Sequence, residues 1–424
     1  MPNRPVIETL ATGDEVVRGD VVDTDSAYVS QRLAESGLLV ARHTAVPDTF
    51  EEILGVIREI SSRADLCIGS GGLGPTGDDL TADVSARALG VGVQFDATAE
   101  ARMRERFARA GYRFTENNRR STRVPQGAQV FQNEVGTAPA FSATIDRCRF
   151  FFLPGVPAEF RYFVDAHVVP WALARWPGGF GAVVQLKTLG WGESHLAERF
   201  EDFAQLFPEV QVGYRAHSPE VWLKLTAEAA SREAALSILA PAAAEARRRI
   251  GDTVFGRDRE ELDTLAHEAL LRSGKTLALA ESCTGGLVAS MLTRHPGASR
   301  YLLAGFVTYS NEAKTRDLGV AAGTLAAHGA VSGETAAAMA RGARERTGAD
   351  IGVSITGIAG PDGGTPNKPV GLVYLAVAAG GGAPAVAEHR FRGDRGRIQR
   401  AAAAHALNLI LKTASPAPGH GDPQ

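Results

Sequence analysis

The sequence predicts an α/β protein in three domains, a small α+β domain lying between two larger α/β ones. Three observations predict it. The chain has 424 residues, more than one ordinary domain, so each of two or three domains can bury its own core. Short apolar runs alternate with helical patterns up to about Asp165 and again after Gly256, as in a parallel sheet covered on both faces. From about Val183 to Gly256 the order changes to strand, helix, strand, strand, helix, short strand.

In the first domain VIETLA is followed by a helix from about Thr24 to Glu35. LLVARHTAV, a helix near Glu51 to Ile60, and DLCIGSGG come next. Ligands of parallel sheets bind at the carboxyl ends of strands, here the loops beginning at Gly13 and Gly69 and the stretch Leu153 to Pro157. The middle stretch (VVQLKTLG, ESHLAERFEDF, VQVGYRA, VWLKLTAE, REAALSILAPAAAEARRRI, TVFG) has the βαββαβ order of a ferredoxin-like domain. Its triple Arg247, Arg248 and Arg249 falls near a helix C-terminus, where cations complement the helix dipole, rather than forming a nucleic-acid patch. After Gly256, RDREELDT opens a helix. TLALAES, LLAGFVTYS, IGVSITG, VGLVYLAVA and AVAEHRF are the strand candidates, and the tail ASPAPGHGDPQ is expected to be disordered.

Composition narrows the function classes. Forty-five Lys and Arg nearly balance 48 Asp and Glu, so no global basic field favours direct nucleic-acid binding. Cys67, Cys148 and Cys283 lie too far apart for a short-spaced zinc motif, and their odd number argues against a disulfide framework. Neither a leader-like N-terminus nor a run of about 18 apolar residues is present. The expectation is a cytoplasmic protein with no membrane partner.

In the last domain TLALAES runs into CTGG and then a helix, which sets Ser282 on a strand-to-helix turn whose hydroxyl and backbone N–H groups can face one ligand. Such a turn serves as nucleophile mount and oxyanion hole; Ser282 as a plain helix cap is the alternative. A serine hydroxyl needs a base, and Tyr309 and Lys314 in VTYSNEAK are the candidates. Cys283 is a rival nucleophile by type, without a nearby histidine to lower its pKa. The loops SITGIAGPDGG (Ser354 to Gly364) and RGDRGRIQR (Arg392 to Arg400) also follow strands, one Gly-rich and one basic at a helix start. Together they describe a pocket for a phosphorylated small molecule.

In the first domain GGLGPTGDD (Gly71 to Asp79) ends a buried strand and opens a helix, with glycines for close backbone approach to an anion. Asp78 and Asp79 would repel a bare phosphate but could hold a divalent cation, with Asp14 or Asp23 from the first loop. Asp79 as an N-cap is the alternative.

ESCTGG, FVTYSNEAK, HGAVS, SITGIAGPDGG, KPVGLVY and FRGDR resemble the C-terminal domain of the CinA (competence/damage-inducible) family, whose stand-alone relatives are nicotinamide-nucleotide amidohydrolases. GDEVVRGDVVDTDSAYVSQRL, GGLGPTGDD, VGTAPAF and LPGVPAEF resemble its N-terminal domain, related to molybdopterin-binding folds and described as a metal-dependent ADP-ribose pyrophosphatase. The resemblance covers nearly all of residues 5 to 412.

It implies a molybdopterin-binding-like domain at 1–170, the ferredoxin-like one at 171–257, an amidohydrolase domain at 258–413 and a tail at 414–424. It also implies hydrolysis of nicotinamide mononucleotide (NMN) to nicotinic acid mononucleotide and ammonia without a cofactor. Ser282 would attack, Lys314 with Tyr309 would move protons, and Thr284, Gly285, Gly286, Thr356 and Arg395 would bind the substrate. In the N-terminal domain, ADP-ribose would be cleaved to AMP and ribose 5-phosphate. Gly71, Gly72, Gly74, Thr76 and Thr137 would bind it, and Asp23, Asp78 and Asp79 would hold Mg, Mn or Co. A homodimer is implied as well. Asp25 stands where the family's pattern has asparagine and Ala140 where it has glycine, which puts N-terminal activity in doubt. A non-catalytic interaction protein of competence or recombination, and a molybdopterin-binding protein, are the alternatives from other classes.

Overall fold

A computed structural model describes residues 5–177 and 181–415. The expected disordered tail lies almost wholly outside the described residues. The chain forms two compact units, Met1–Val183 with Thr226–Pro241, and Val184–Leu225 with Ala242–Gln424.

The first unit is built on β1 (Ile7–Thr12), β2 (Val40–Val46), β3 (Leu66–Ser70), the short pair β4 (Val93–Phe95) and β5 (Arg123–Pro125), β6 (Gln129–Phe131), β7 (Ala140–Ile145) and β8 (Cys148–Leu153). Its six-stranded sheet has the order β2-β1-β3-β8-β7-β6. Strands β2, β1, β3 and β8 are parallel, as expected, but β7 and β6 run antiparallel at one edge. The departure has a local cause. Only Asp146 and Arg147 separate β7 from β8, a connection too short for a crossover, and Asp146 takes the positive φ (49°) of a tight turn. Every residue of β1 and β3 is buried, including Glu8 of β1, whose carboxylate pairs with Arg63.

The middle strands β9 (Gly181–Leu189), β10 (Val210–His217), β11 (Glu220–Glu228) and β12 (Val254–Arg257) form a sheet of order β10-β11-β9-β12. In β11, Val221, Leu223, Leu225 and Ala227 are buried and alternate with less buried residues, the period of a sheet covered on one face. Of the arginine triple, Arg248 and Arg249 pair with Glu245, and Arg249 pairs also with Asp202. Those two are committed to local ion pairs rather than displayed for a polyanion.

The last sheet comprises β13 (Leu277–Glu281), β14 (Leu302–Val307), β15 (Ile351–Gly357), β16 (Leu372–Ala379) and β17 (Ala385–Arg390), in the order β14-β13-β15-β16-β17. All five expected strands form. The first three are parallel and the last two antiparallel. Helices Leu262–Ser273 and Arg395–Ala414 contribute one apolar core, and Gly333–Thr347 packs against β13 and β15. The second packing is close. A Cβ at Gly352 would lie 2.2 Å from the Ala340 carbonyl oxygen, so only glycine lets that helix rest on β15. Among the described residues no helix is long and apolar enough to cross a membrane.

Candidate active site

Parallel strands β13 and β15 end side by side, and the chemistry collects where they end. Strand β13 delivers Ser282, whose N–H donates to the Ile355 carbonyl at 3.0 Å, so the nucleophile candidate is held to the neighbouring strand. The turn then closes through Gly285 (φ 63°) and Gly286 (φ 95°), left-handed positions where a side chain would be strained. The next helix is Leu287–Thr293, with Gly286 as its N-cap. Ser282 is therefore not the helix cap.

That role falls to Glu281, whose buried carboxylate accepts from the amides of Gly286 (3.1 Å), Val288 (3.2 Å) and Ala289 (2.9 Å). A carboxylate at a helix N-terminus is favoured by the dipole and satisfies otherwise unpaired donors. The oxyanion hole expected of the whole turn is thereby narrowed. Gly285 N–H is taken by Ser282 O and Leu287 N–H by Thr284 O, while the amides of Cys283 and Thr284 have no backbone acceptor among the described residues.

Lys314 reaches Ser282 from the helix Asn311–Leu318, which follows β14 and is capped by Ser310. It is 1% exposed and Ser282 8%. Its Nζ lies 3.2 Å from Ser282 Oγ, 2.8 Å from the Thr308 carbonyl and 3.4 Å from the Tyr309 carbonyl. No carboxylate pairs with it among the described residues. Burial without a counter-charge pulls its ammonium below the usual lysine range. A neutral amine has two hydrogens and one lone pair; with the hydrogens on the two carbonyls, the lone pair faces the serine hydroxyl.

Tyr309 is placed differently from the sequence expectation. Its side chain is 61% exposed, and the phenol oxygen accepts from Arg395 Nη2 at 2.7 Å, so only its backbone carbonyl joins the Ser282–Lys314 pair. Arg395 also donates from Nη1 to the Gly360 carbonyl at 2.8 Å, tying the basic helix start to the Gly-rich loop after β15. Thr356 is buried, and its hydroxyl donates to the Ala330 carbonyl at 2.7 Å. The Thr284 hydroxyl is buried without a partner, beside the nucleophile. Cys283 is buried, and burial pushes its thiol up to about 12, so it carries no thiolate at neutral pH. Its carbonyl accepts from Gln399 Nε2 at 2.8 Å.

The first unit holds a separate cleft of about 400 Å³ at the carboxyl ends of its strands, lined by Gly71, Gly72, Gly74, Asp78, Asp79 and Asp23 among others. The glycines are needed for closeness. A Cβ at Gly71 would lie 2.4 Å from the Thr12 carbonyl oxygen, and one at Gly72 2.2 Å from Thr81 Oγ1. Asp79 is neither an N-cap nor a free ligand, because the helix starts at Thr81 with Leu80 before it. Its oxygens accept from the amides of Gly74 (2.6 Å) and Thr76 (2.7 Å), and it also accepts from the Thr76 hydroxyl. Asp23 is the residue that caps, accepting from Ser26 N–H at 2.9 Å.

No three His, Cys, Asp or Glu among the described residues come together in a group able to hold a metal ion. Asp23, Asp78 and Asp79 line one cleft, and Asp23 and Asp79 have oxygens that already accept from backbone donors. Thr137 borders a second cleft beside Arg102, Arg106 and Arg109, and its amide donates to the carboxylate of Glu159, which lines the first.

Comparison with known proteins follows the same division. Residues 259–414 match the CinA C-terminal domain model, 8–174 the probable molybdopterin binding domain, and 185–256 the damage-inducible protein CinA KH domain. A CinA-like protein of Anaeromyxobacter dehalogenans (strain 2CP-C) is 45% identical over 415 residues, 95% of this chain and 98% of that one. The chain belongs to the CinA family. A second CinA-like protein, from Geobacter sp. (strain M21), is 44% identical over 98% of this chain and 100% of its own length. Among solved structures, competence/damage inducible protein CihA from Agrobacterium tumefaciens is 44% identical over 35% of this chain and 93% of its own, with a TM-score of 0.34. The middle segment of this CinA-family chain, ferredoxin-like by strand order, is a KH-like domain by its family model.

Three contributors to the site escape a reading of the CinA motifs as strings: the Glu281 carboxylate, the Thr308 carbonyl and the Gln399 amide. Only Glu281 left a trace, as an acid one turn before a glycine-started helix.

Proposed function

We propose that the C-terminal domain hydrolyses the carboxamide of NMN, giving nicotinic acid mononucleotide and ammonia. The observation that carries the reading is Lys314, buried without a carboxylate partner and aimed at Ser282 Oγ. Serine–lysine pairs of this kind act as nucleophile and base.

In this mechanism Ser282 Oγ attacks the amide carbon while its proton passes to Lys314 Nζ. The oxyanion forms against the amides of Cys283 and Thr284. Lys314 returns the proton to the departing nitrogen, the C–N bond breaks and ammonia leaves an ester on Ser282. Water, deprotonated by the same amine, cleaves that ester and regenerates the serine. Arg395, steered by Tyr309 and Gly360, is suited to the substrate phosphate.

Purified protein is expected to release ammonia from NMN, and the pH profile tests the base. Lys314 acts only when neutral, and burial lowers its pKa, so kcat/KM should rise with pH and level off below the pH at which an ordinary lysine, pKa about 10.4, would do so. A profile that falls between about pH 6 and about pH 9 would contradict lysine as the base.

The acid-lined cleft favours a second reading, ADP-ribose cleavage in the N-terminal domain. Its carboxylates repel a bare pyrophosphate and form no resident cage, so AMP formation is expected only with added Mg, Mn or Co. Equal AMP formation with a chelator in their place would count against it.

A further inference from the structure

The N-terminal cleft contains a polar atom that no group of the protein satisfies. Asp25, in the first turn of the helix Thr24–Ala34, is 6% exposed and lines the cleft. Its Oδ2 accepts from Ser70 Oγ at 2.7 Å, whereas its Oδ1 is buried with no hydrogen-bond partner. Leaving such an oxygen unpaired is costly, and a site that keeps one is prepared for a group that will pair with it.

The surroundings restrict what that group can be. The cleft is also lined by Glu15, Asp23, Asp48, Asp78, Asp79 and Glu159, with no lysine, arginine or histidine among its described lining residues. An anionic group set against Oδ1 would meet a ring of carboxylates that outnumbers the Arg161 guanidinium acting on Asp25 from outside the lining. A hydroxyl is neutral, donates to a carboxylate, and can equally accept from a carboxylic acid, so it matches Asp25 in either protonation state. Glycines flank the Ser70 side of the Asp25–Ser70 pair. Gly71 and Gly155 meet there, and a Cβ on Gly155 would come within 3.3 Å of Gly71 Cα and 3.8 Å of Ser70 Oγ.

We propose that Asp25 is a specificity-determining residue of the N-terminal cleft, holding a sugar hydroxyl of the ligand through Oδ1 while Ser70 fixes Oδ2. The inference rests on the ADP-ribose reading of this cleft and adds the contact that selects a ribosyl group. Dinucleotide-binding folds use an acidic side chain on a ribose hydroxyl for the same purpose.

Calorimetric titration of the full-length protein with ADP-ribose, and with analogues lacking the cis-diol of one ribose or the other, tests it. Wild type should bind one of the two analogues about tenfold or more weaker than ADP-ribose, the usual effect of losing a hydrogen bond to a charged group. Asp25→Ala should weaken ADP-ribose by a similar factor and bind that analogue as well as it binds ADP-ribose. Asp25→Leu, which fills the vacated volume and removes a buried carboxylate, gives the same readout should the alanine variant not fold.

If the variants weaken ADP-ribose and both analogues alike, or leave ADP-ribose binding unchanged, this inference fails and the ADP-ribose reading stands. If wild type binds no ADP-ribose, both fail.

Discussion

Ser282→Ala is expected to abolish ammonia release from NMN, by a factor of at least about 10³, because every bond change runs through that oxygen. No neighbour can replace it. Cys283 is adjacent, but its thiol is pushed up to about 12, so thiolate is scarce at neutral pH, and the residue faces the core cluster that includes Leu279 and Val288. Cys283→Ala should accordingly keep most of the rate. The alanine at position 282 removes a hydroxyl without disturbing the Ser282 N–H bond to Ile355, so the turn should survive and thermal melting should change little. Retention of the full rate by Ser282→Ala, with ammonia followed continuously, would refute the amidohydrolase assignment.

Lys314→Met is expected to move activity and stability in opposite directions. Loss of a general base costs about 10²–10⁴ in rate, and methionine restores neither a lone pair nor a proton carrier. Yet the ammonium form of Lys314 is disfavoured by burial and lacks a carboxylate partner, so an apolar side chain of similar length should leave the fold unharmed or raise its stability by about 1 kcal/mol. A lysine retained only for structure predicts the reverse: full rate and a lower melting temperature. Measuring both on one preparation separates the two roles.

The fold was readable where burial wrote a simple pattern. Strands β3 and β13 are buried along their whole length and appear in the sequence as mainly apolar runs, LCIGS and LALAE. Antiparallel β16 reads the same way, because direction is fixed by the connection and not by the strand. Among candidate site residues, Ser282 and Lys314 were paired by chemical type, and their side chains lie 3.2 Å apart.

Tyr309 was credited with too direct a part. It precedes the helix Asn311–Leu318, and there the backbone turns so that Lys314 enters the interior while the phenol stays outside with Arg395. Such reversals are set by tertiary packing rather than by spacing. Thr137 lies beside the arginines of the helix Ala97–Arg109 and bonds through its amide to Glu159 of the first cleft. Asp23 and Asp79, metal candidates by type, also cap a helix and brace a loop, two duties that composition does not reveal.

The carboxylate of Glu281 has a consequence for substrate orientation. An internal anion already occupies the helix end nearest the nucleophile, so a phosphate arriving there would face repulsion and find its donors engaged. On the proposed amidohydrolase reading, the charged end of a nucleotide would be steered toward Arg395, and the neutral amide end left for Ser282. The cleft has a polarity before any ligand enters it, and a molecule with anions at both ends would be rejected from one side.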